Sequence, residues 1–210
     1  RLGSNSLVEL LVFGRRAALS AIDYISDLPP SNAGALDAAA DATRRRIEAL
    51  FLRDDGYESM SGLRREMMDT MEKNVGIYRT EAGLQEGVNK IHELRERYAR
   101  VKLTDKSRVF NTDLFQILEL GSMLDCAEAV TVGALARRES RGAHQRLDGP
   151  DGAYKQRDDV NFLKHTLAWR DADGTTRLDY SDVKITTLPP AKRVYGAEAE
   201  AAEKKEKANG

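Results

Sequence analysis

The sequence contains one cysteine, Cys126, in 210 residues. A single thiol excludes an internal disulfide and indicates a reducing compartment. One cysteine also cannot hold an iron–sulfur cluster, because such clusters normally take four protein ligands. Any iron–sulfur clusters that work with this chain are therefore expected only in a partner chain.

Other absences narrow the function further. No apolar run approaches the roughly 18 residues of a membrane span, and no basic-then-apolar signal pattern opens the sequence. No glycine-rich dinucleotide fingerprint or phosphate-binding loop is present. The 33 basic and 34 acidic residues nearly cancel, so we expect no nucleic-acid partner. The 41% of apolar residues still suffices for a core, and any membrane association would come from a partner.

Apolar residues at helical spacing predict five helices, at about residues 6–27, 35–53, 58–74, 80–101 and 111–138. Pro29 and Pro30 end the first helix, and Asn111 or Thr112 caps the fifth. Short connections favour an antiparallel helical bundle. The predicted fold class is mainly α, with a small antiparallel β region following the bundle.

After Gly142 the pattern predicts two or three short antiparallel strands among residues 162–169, 175–180 and 183–187. The segment Asp171–Gly174 fits either a calcium loop or an Asp-Gly hairpin turn. We favour the turn, because the spacing of an EF-hand is missing. Residues 196–210 are mostly Ala, Glu and Lys, which predicts a frayed helix or a disordered tail.

The start of the chain is the first candidate site. Ser4, Asn5 and Ser6 are N-cap residue types before an apolar run, so free helix N–H groups would lie beside Arg1. Such a corner suits a carboxylate, a phosphate or a reduced cofactor. The alternative is an ordinary helix cap with a solvent-exposed arginine.

The second candidate is the polar segment from Glu139 to His144. A serine, a histidine and an acid this close in sequence cannot generally converge as a catalytic triad. We expect instead that Gly142 ends the fifth helix and that Arg141, His144 and Arg146 make docking hydrogen bonds or ion pairs.

Five further side chains are predicted to have structural or solvent-exposed positions rather than a role in a site. His92 lies on a charged helix face and is predicted to be solvated, and His165 is predicted at an interface rather than as a ligand. A cluster of methionines at helical spacing predicts core packing; its members are Met67, Met68 and Met71.

Several longer motifs occur in order along the chain: Arg1–Leu7 with Val12–Arg15, Lys106–Thr112 leading into Glu119–Leu124, Ala136–His144, Arg157–Asp159 and Leu163–Leu167. Together they resemble the flavoprotein subunit of succinate dehydrogenase and fumarate reductase. The resemblance spreads over residues 1–195, so it implies that the chain is the C-terminal part of that subunit. It implies a terminal helix of the FAD-binding domain (1–28), a helical bundle (29–141), a β region (142–195) and a tail (196–210).

The resemblance also implies roles. The residue matching Arg1 binds a carboxylate of succinate or fumarate, and those matching Ser6 and Leu7 contact FAD. FAD itself would be bound, covalently, mainly by the upstream domain. Arg141, Gly142 and His144 would dock the C-terminal strands onto that domain.

No catalytic residue is expected within this segment, because the family's proton-transferring arginine and its two substrate-binding histidines match nothing here. The isolated chain is expected to be inactive. Implied partners are an iron–sulfur subunit and, indirectly, membrane anchor subunits. The expected location is the cytoplasmic face of a bacterial inner membrane, or the matrix side in mitochondria.

Two alternatives remain open. L-Aspartate oxidase shares the Arg-Leu-x-x-Asn-Ser-Leu and Glu-Ser-Arg-Gly motifs and needs no iron–sulfur partner, but residues 157–165 and 192–195 resemble the dehydrogenase family more. The other alternative is a non-catalytic helical interaction module. The direction of the reaction and the quinone stay undecided.

Overall fold

The computed structural model describes residues 5–30, 32–171, 173–187, 189–191 and 196, without the side chains of Asn5 and Ser6. Contacts divide the chain into two units, Arg1–Ala49 and Leu50–Gly210. The predicted first boundary, after residue 28, follows the end of the first helix, whereas the contacts place the division later. The four-part domain organisation stays a prediction.

The first unit holds helix α1 (Asn5–Ser26) and most of helix α2 (Ala33–Leu52). Pro29 and Pro30 separate them, and the Asn32 side chain accepts a hydrogen bond from the Ala35 amide at 3.1 Å. Helix α1 exposes its large apolar side chains, including Leu7, Leu10, Leu11, Phe13, Ile22 and Ile25. Within the described residues, this helix therefore has an apolar surface with no cover.

The second unit has its core between helices α3 (Met60–Val75), α4 (Glu81–Tyr98) and α5 (Thr112–Ala136). The largest buried cluster takes residues from all three helices, namely Leu63, Met67, Ile91, Leu94, Leu120, Leu124 and Ala127. A second cluster joins the end of α2 to α5 through Leu50, Val101, Leu103 and Ile117. The prediction of a mainly helical fold with a small antiparallel sheet is confirmed.

Side-chain caps set the helix starts. Ser59, Thr80 and Asn111 each accept a hydrogen bond from the amide three residues ahead, which satisfies an otherwise free N–H group. Helix α4 ends at Tyr98, earlier than predicted, because Val101 is buried as a loop residue instead. Among the methionines, Met67 is buried and Met71 packs against the core, whereas Met68 is 55% exposed.

Two small sheets complete the unit. Strands β1 (Tyr78–Arg79) and β2 (Gln145–Arg146) pair in parallel, which the sequence did not indicate. A 3₁₀ turn (Pro150–Gly152) and helix α6 (Asp159–Phe162) lead to strands β3 (Lys164–Arg170) and β4 (Thr176–Asp182), which pair antiparallel.

The β3–β4 connection confirms the predicted hairpin turn. The Gly174 amide donates to the Asp171 carbonyl at 2.9 Å, and Gly174 has a φ of 87°, a value that favours glycine. Of the two or three strands predicted here, two are present: β4 ends at Asp182, and residues 183–187 form no strand. Apart from Gly196, the predicted tail lies outside the described residues.

No helix of the described residues is both long and apolar enough to span a membrane. This finding agrees with the absence of long apolar runs in the sequence.

Replacing Leu94 by Ala tests the three-helix core. Leu94 is fully buried between α3, α4 and α5, so Leu94→Ala should lower the free energy of unfolding by about 2–5 kcal/mol in urea titrations. The matched control is Leu52→Ala, because Leu52 is 76% exposed and its loss should be nearly neutral. Equal losses from the two variants would place the core elsewhere.

Candidate functional site

The predicted substrate and flavin contacts lie at the start of α1. Arg1 and Ser4 fall outside the described residues, and the side chain of Ser6 does too. Helix α1 begins at Asn5, so Ser6 lies in its first turn, and Leu7 is 71% exposed. A first helical turn presents free N–H groups and the positive dipole end. The roles of Arg1, Ser6 and Leu7 stay predictions.

The second candidate is a buried charged network centred on Glu139, whose side chain is fully buried. Arg137 donates to its Oε1 at 2.6 Å, and Arg141 donates to both carboxylate oxygens at 2.7 and 3.1 Å. The Asp158 amide donates to Oε2 at 2.6 Å. Burial alone would raise the pKa of Glu139, but these hydrogen bonds outweigh burial and hold the pKa below its ordinary value.

The two arginines carry this network into the C-terminal segments. Arg137 donates to the carbonyls of Phe162 and Lys164, each at 2.8 Å. Arg141 reaches the carboxylate of Asp159 at 2.6 Å. The end of α5 is thereby tied to α6 and to the first residue of β3.

Arg146 is fully buried beside this network, at the end of α5. We call the contacts of Arg137, Glu139, Arg141, His144 and Arg146 the junction. It makes a two-bond fork with Asp148, at 2.9 and 2.6 Å, and these bonds lower the pKa of Asp148 to about 2. Its remaining nitrogen donates to the Arg137 carbonyl at 3.0 Å. A cation at the C-terminal end of α5 compensates the negative end of the helix dipole.

His144 lies between arginines. Its Nε2 is 2.9 Å from the Arg137 carbonyl, which can only accept, so Nε2 carries the hydrogen. Its Nδ1 then accepts from Arg79 at 2.7 Å, which requires a neutral ring. Burial, followed by the charges of Arg79, Arg146 and Arg137, lowers the pKa of His144 below its ordinary value.

The geometry contains no triad of Glu139, Ser140 and His144. The Ser140 hydroxyl accepts from the Arg146 amide at 2.8 Å, and both ring nitrogens of His144 are used elsewhere. No serine–histidine bond exists to activate a nucleophile. The side chains of this segment instead hydrogen-bond to other parts of the fold, and the docking role of the segment stays a prediction.

Gly142 does not end the fifth helix, and that prediction is wrong. Helix α5 ends at Ala136, where the buried Arg146 side chain donates to the carbonyls of Ala134, Leu135 and Arg137. Gly142 lies instead in a tight turn closed by two hydrogen bonds between Arg141 and His144, at 2.9 and 3.1 Å. Its φ of 61° explains the glycine, since other residues adopt this value at a cost.

A second buried carboxylate, Glu128 on α5, holds the hairpin. It accepts from Thr176 at 2.6 Å and from Arg170 at 3.4 Å, both on the β3–β4 hairpin. Arg95 and His92 on α4 lie 3.2 and 3.6 Å from it. Sequence reasoning missed Glu128 and treated His92 as simply solvated; its side chain is 53% exposed.

An open groove of about 840 Å³ borders the junction. Its lining includes the cationic side chains of Arg141, Lys155 and Arg157 and the ring pair Tyr78 and Tyr154, whose centroids are 6.1 Å apart. Among the described residues, no group of three or more His, Cys, Asp or Glu side chains could hold a metal ion.

Comparisons with known proteins identify the protein family of this chain. The family profile described as "Fumarate reductase flavoprotein C-term" matches residues 64–195. This chain belongs to that family. The fumarate reductase flavoprotein subunit of Escherichia coli K12 is 56% identical over 100% of this chain and 35% of its own length.

Two further similarities extend this relationship. The succinate dehydrogenase flavoprotein subunit of Rickettsia bellii is 41% identical over 93% of this chain and 33% of its own length. A solved structure of E. coli quinol fumarate reductase superposes with a TM-score of 0.84, at 55% identity, over 93% of this chain and 33% of that chain. The chain therefore spans about a third of the length of these relatives.

Acidification tests the neutral state of His144. Because the pKa of His144 is lower in the folded protein, the unfolded state takes up the proton first as the pH falls. Its contribution to stability is fully present above the ordinary pKa of about 6.5. That contribution is lost as the pH falls through the lower folded value.

Urea unfolding between about pH 7.5 and pH 5.5 measures this effect. We expect stability to fall more steeply in the wild type than in His144→Gln. His165→Gln is the control, because His165 is exposed on β3 and its variant should keep the wild-type slope. An identical slope for His144→Gln would mean that the folded and unfolded states take up the His144 proton equally readily, which would contradict the lowered pKa.

Proposed function

We propose that this chain is the C-terminal part of the FAD-containing subunit that interconverts succinate and fumarate and passes electrons to an iron–sulfur subunit and a quinone. The observation that carries the proposal is the 56% identity with a fumarate reductase flavoprotein subunit over 100% of this chain. A relative named succinate dehydrogenase is also similar, at 41% identity, so the proposal covers both directions of one reaction.

The apolar surface of α1 supports an upstream FAD-binding domain. Leu7, Leu11 and Ile22 are 71%, 77% and 62% exposed, and a helix with such a surface gains stability only when another element covers it. In the proposed subunit, α1 is the terminal helix of the FAD-binding domain. That domain would supply the cover.

Among the described residues, only the start of α1 offers a surface that suits contact with FAD. They include no dinucleotide-binding βαβ unit, while the first turn of α1 offers a positive dipole end beside the exposed Leu7. We propose that Ser6 and Leu7 contact the flavin there and that the helix end stabilises negative charge on it. When bound, mainly and covalently through the upstream domain, FAD supplies hydride transfer.

Arg1 is the proposed substrate-binding residue. A guanidinium offers two parallel donors to a carboxylate and stays charged at any working pH. Its role would be to hold succinate or fumarate in one orientation against the flavin. Proton transfer would belong to an arginine outside this chain.

Arg141, Gly142 and His144 have a proposed structural role. The Gly142 turn orients the arginine-rich junction, and Arg141 borders the open groove. We propose that this surface docks the C-terminal segments onto the FAD-binding domain. The proposed assembly includes an iron–sulfur subunit and, through it, membrane anchor subunits, at the cytoplasmic face of a bacterial inner membrane or on the matrix side in mitochondria.

Arg1→Lys in the full-length flavoprotein subunit tests the function. The change keeps the charge and removes the two-donor fork, so kcat/KM for succinate or fumarate should fall by about 100-fold while FAD content and the thermal midpoint stay unchanged. The control is Arg15→Lys, because Arg15 lies exposed further along α1.

Two outcomes would contradict the proposal. Near-normal turnover in Arg1→Lys would remove Arg1 from the substrate site. The second outcome concerns the wild-type subunit with FAD bound. If succinate does not reduce its flavin, and if its reduced flavin does not reduce fumarate, the proposed activity is wrong.

A further inference from the structure

The loop between α4 and α5 presents two apolar side chains to solvent. Val109 is 73% exposed and Phe110 is 96% exposed; we call this pair the knob. Phe110 also has a φ of 52°. Such backbone is rare for a bulky residue and persists only when surrounding contacts enforce it. The knob is therefore an exposed aromatic held in an unfavourable backbone conformation.

Hydrogen bonds on the C-terminal side of the knob enforce that conformation. The Asn111 amide group donates to the carbonyls of Asp105 and Ser107 at 2.7 and 2.8 Å. Its side-chain oxygen accepts from the Leu114 amide at 2.8 Å and so caps α5. One asparagine thus joins the loop to the first turn of a helix whose core residues are buried.

The N-terminal side of the loop is fixed as well. Asp105 accepts from the amide and hydroxyl of Ser107 at 2.8 and 3.0 Å, and these bonds lower the pKa of Asp105. Asp113 accepts from the amides of Thr104 and Asp105 at 2.7 and 3.1 Å. These contacts make the loop a rigid support for the two apolar side chains.

Lys106 anchors the same loop to the end of α2. Its Nζ donates to the carbonyls of Leu50, Phe51 and Arg53 at 3.2, 2.7 and 3.2 Å. Next to it, the Arg108 guanidinium lies 4.7 Å from the centre of the Phe51 ring. Lys106 and Arg108 therefore contact the protein, while the two side chains of the knob are exposed to solvent.

The small size of the knob limits what kind of protein surface can cover it. A Val and a Phe side chain can bury roughly 300 Å², whereas a stable interface between separate proteins buries about 1,200 Å² or more. Two side chains therefore cannot hold a second copy or a separate partner by themselves. They can hold a segment of the same polypeptide, because covalent connection supplies a high effective concentration.

Most of the subunit is available to supply that segment. The chain spans 35% of its E. coli relative, and the matched family profile is a C-terminal one. We propose that the knob inserts into an apolar pocket of the upstream part of the same flavoprotein subunit. The proposal rests on the proposed function only in that the chain belongs to a longer subunit; it does not depend on the reaction.

Hydroxyl-radical footprinting of the full-length subunit tests this directly. Phe110 should be oxidised at least about ten times more slowly in the native subunit than in the same protein in denaturant, because a packed pocket excludes water. The protection should be the same at low and high protein concentration, and with or without the iron–sulfur subunit. Protection only at high concentration, or only with that subunit, would overturn the proposed occupant. Absence of protection in all samples would overturn the docking.

Phe110→Asn gives an independent test through the sign of its effect. Asparagine tolerates positive φ better than phenylalanine, so the change should leave stability equal or higher if the knob is uncovered. A docked knob predicts the opposite, a thermal midpoint of the full-length subunit lower by about 2 °C or more. A raised or unchanged midpoint would overturn the proposal.

A matched valine pair controls for surface substitution. Val109→Ser should lower the same midpoint, while Val160→Ser should not, because Val160 is 94% exposed on α6 and belongs to no such loop. Equal effects of the two variants would contradict a specific role for the knob. A wild-type subunit that protects Phe110 but turns over neither succinate nor fumarate would overturn the proposed function and leave the docking in place.

Discussion

The buried carboxylate of Glu139 accepts hydrogen bonds from two arginines and from the Asp158 amide. Without it, Arg137 and Arg141 would be neighbouring cations with little reason to approach each other. With it, Arg137 can donate to the first residues of the hairpin region and Arg141 can reach Asp159. A buried carboxylate that is fully hydrogen-bonded specifies one geometry, and losing a partner is costly. The placement of α6 and of the start of β3 against the end of α5 depends on this network.

Glu128 supplies the second polar attachment, through Thr176 and Arg170 on the hairpin. The C-terminal sheet is therefore held to α5 by carboxylates more than by apolar packing, since none of its residues is fully buried. Several large apolar side chains are exposed together on α1, and two more are exposed at the knob. This division suits a segment that folds around its own helices and reserves its exposed apolar side chains for the rest of the proposed subunit.

Local patterns predicted the parts of the fold that depend on nearby residues. Helix starts followed from Thr80 and Asn111, and the hairpin followed from an Asp-Gly turn. The junction needed distant residues: Arg79 reaches His144 across 65 positions through a two-residue parallel pairing, which has no periodicity to detect. Glu128 gave no signal, and the polar segment that begins at Glu139 did not indicate that this carboxylate is buried, because acidic residues are usually exposed. The alternation at residues 183–187 did not produce a strand, because a strand also needs backbone pairing with a neighbour, which alternation does not supply.

A double-mutant cycle on Glu139 and Arg141 tests the central claim most directly. Unfolding free energies are measured for Glu139→Ala, Arg141→Ala and the double variant. If the carboxylate organises the junction, removing either partner costs most of what removing both does, and the coupling energy is about 1–3 kcal/mol. Losses that add within about 0.5 kcal/mol would show that the two side chains act independently and would contradict the account.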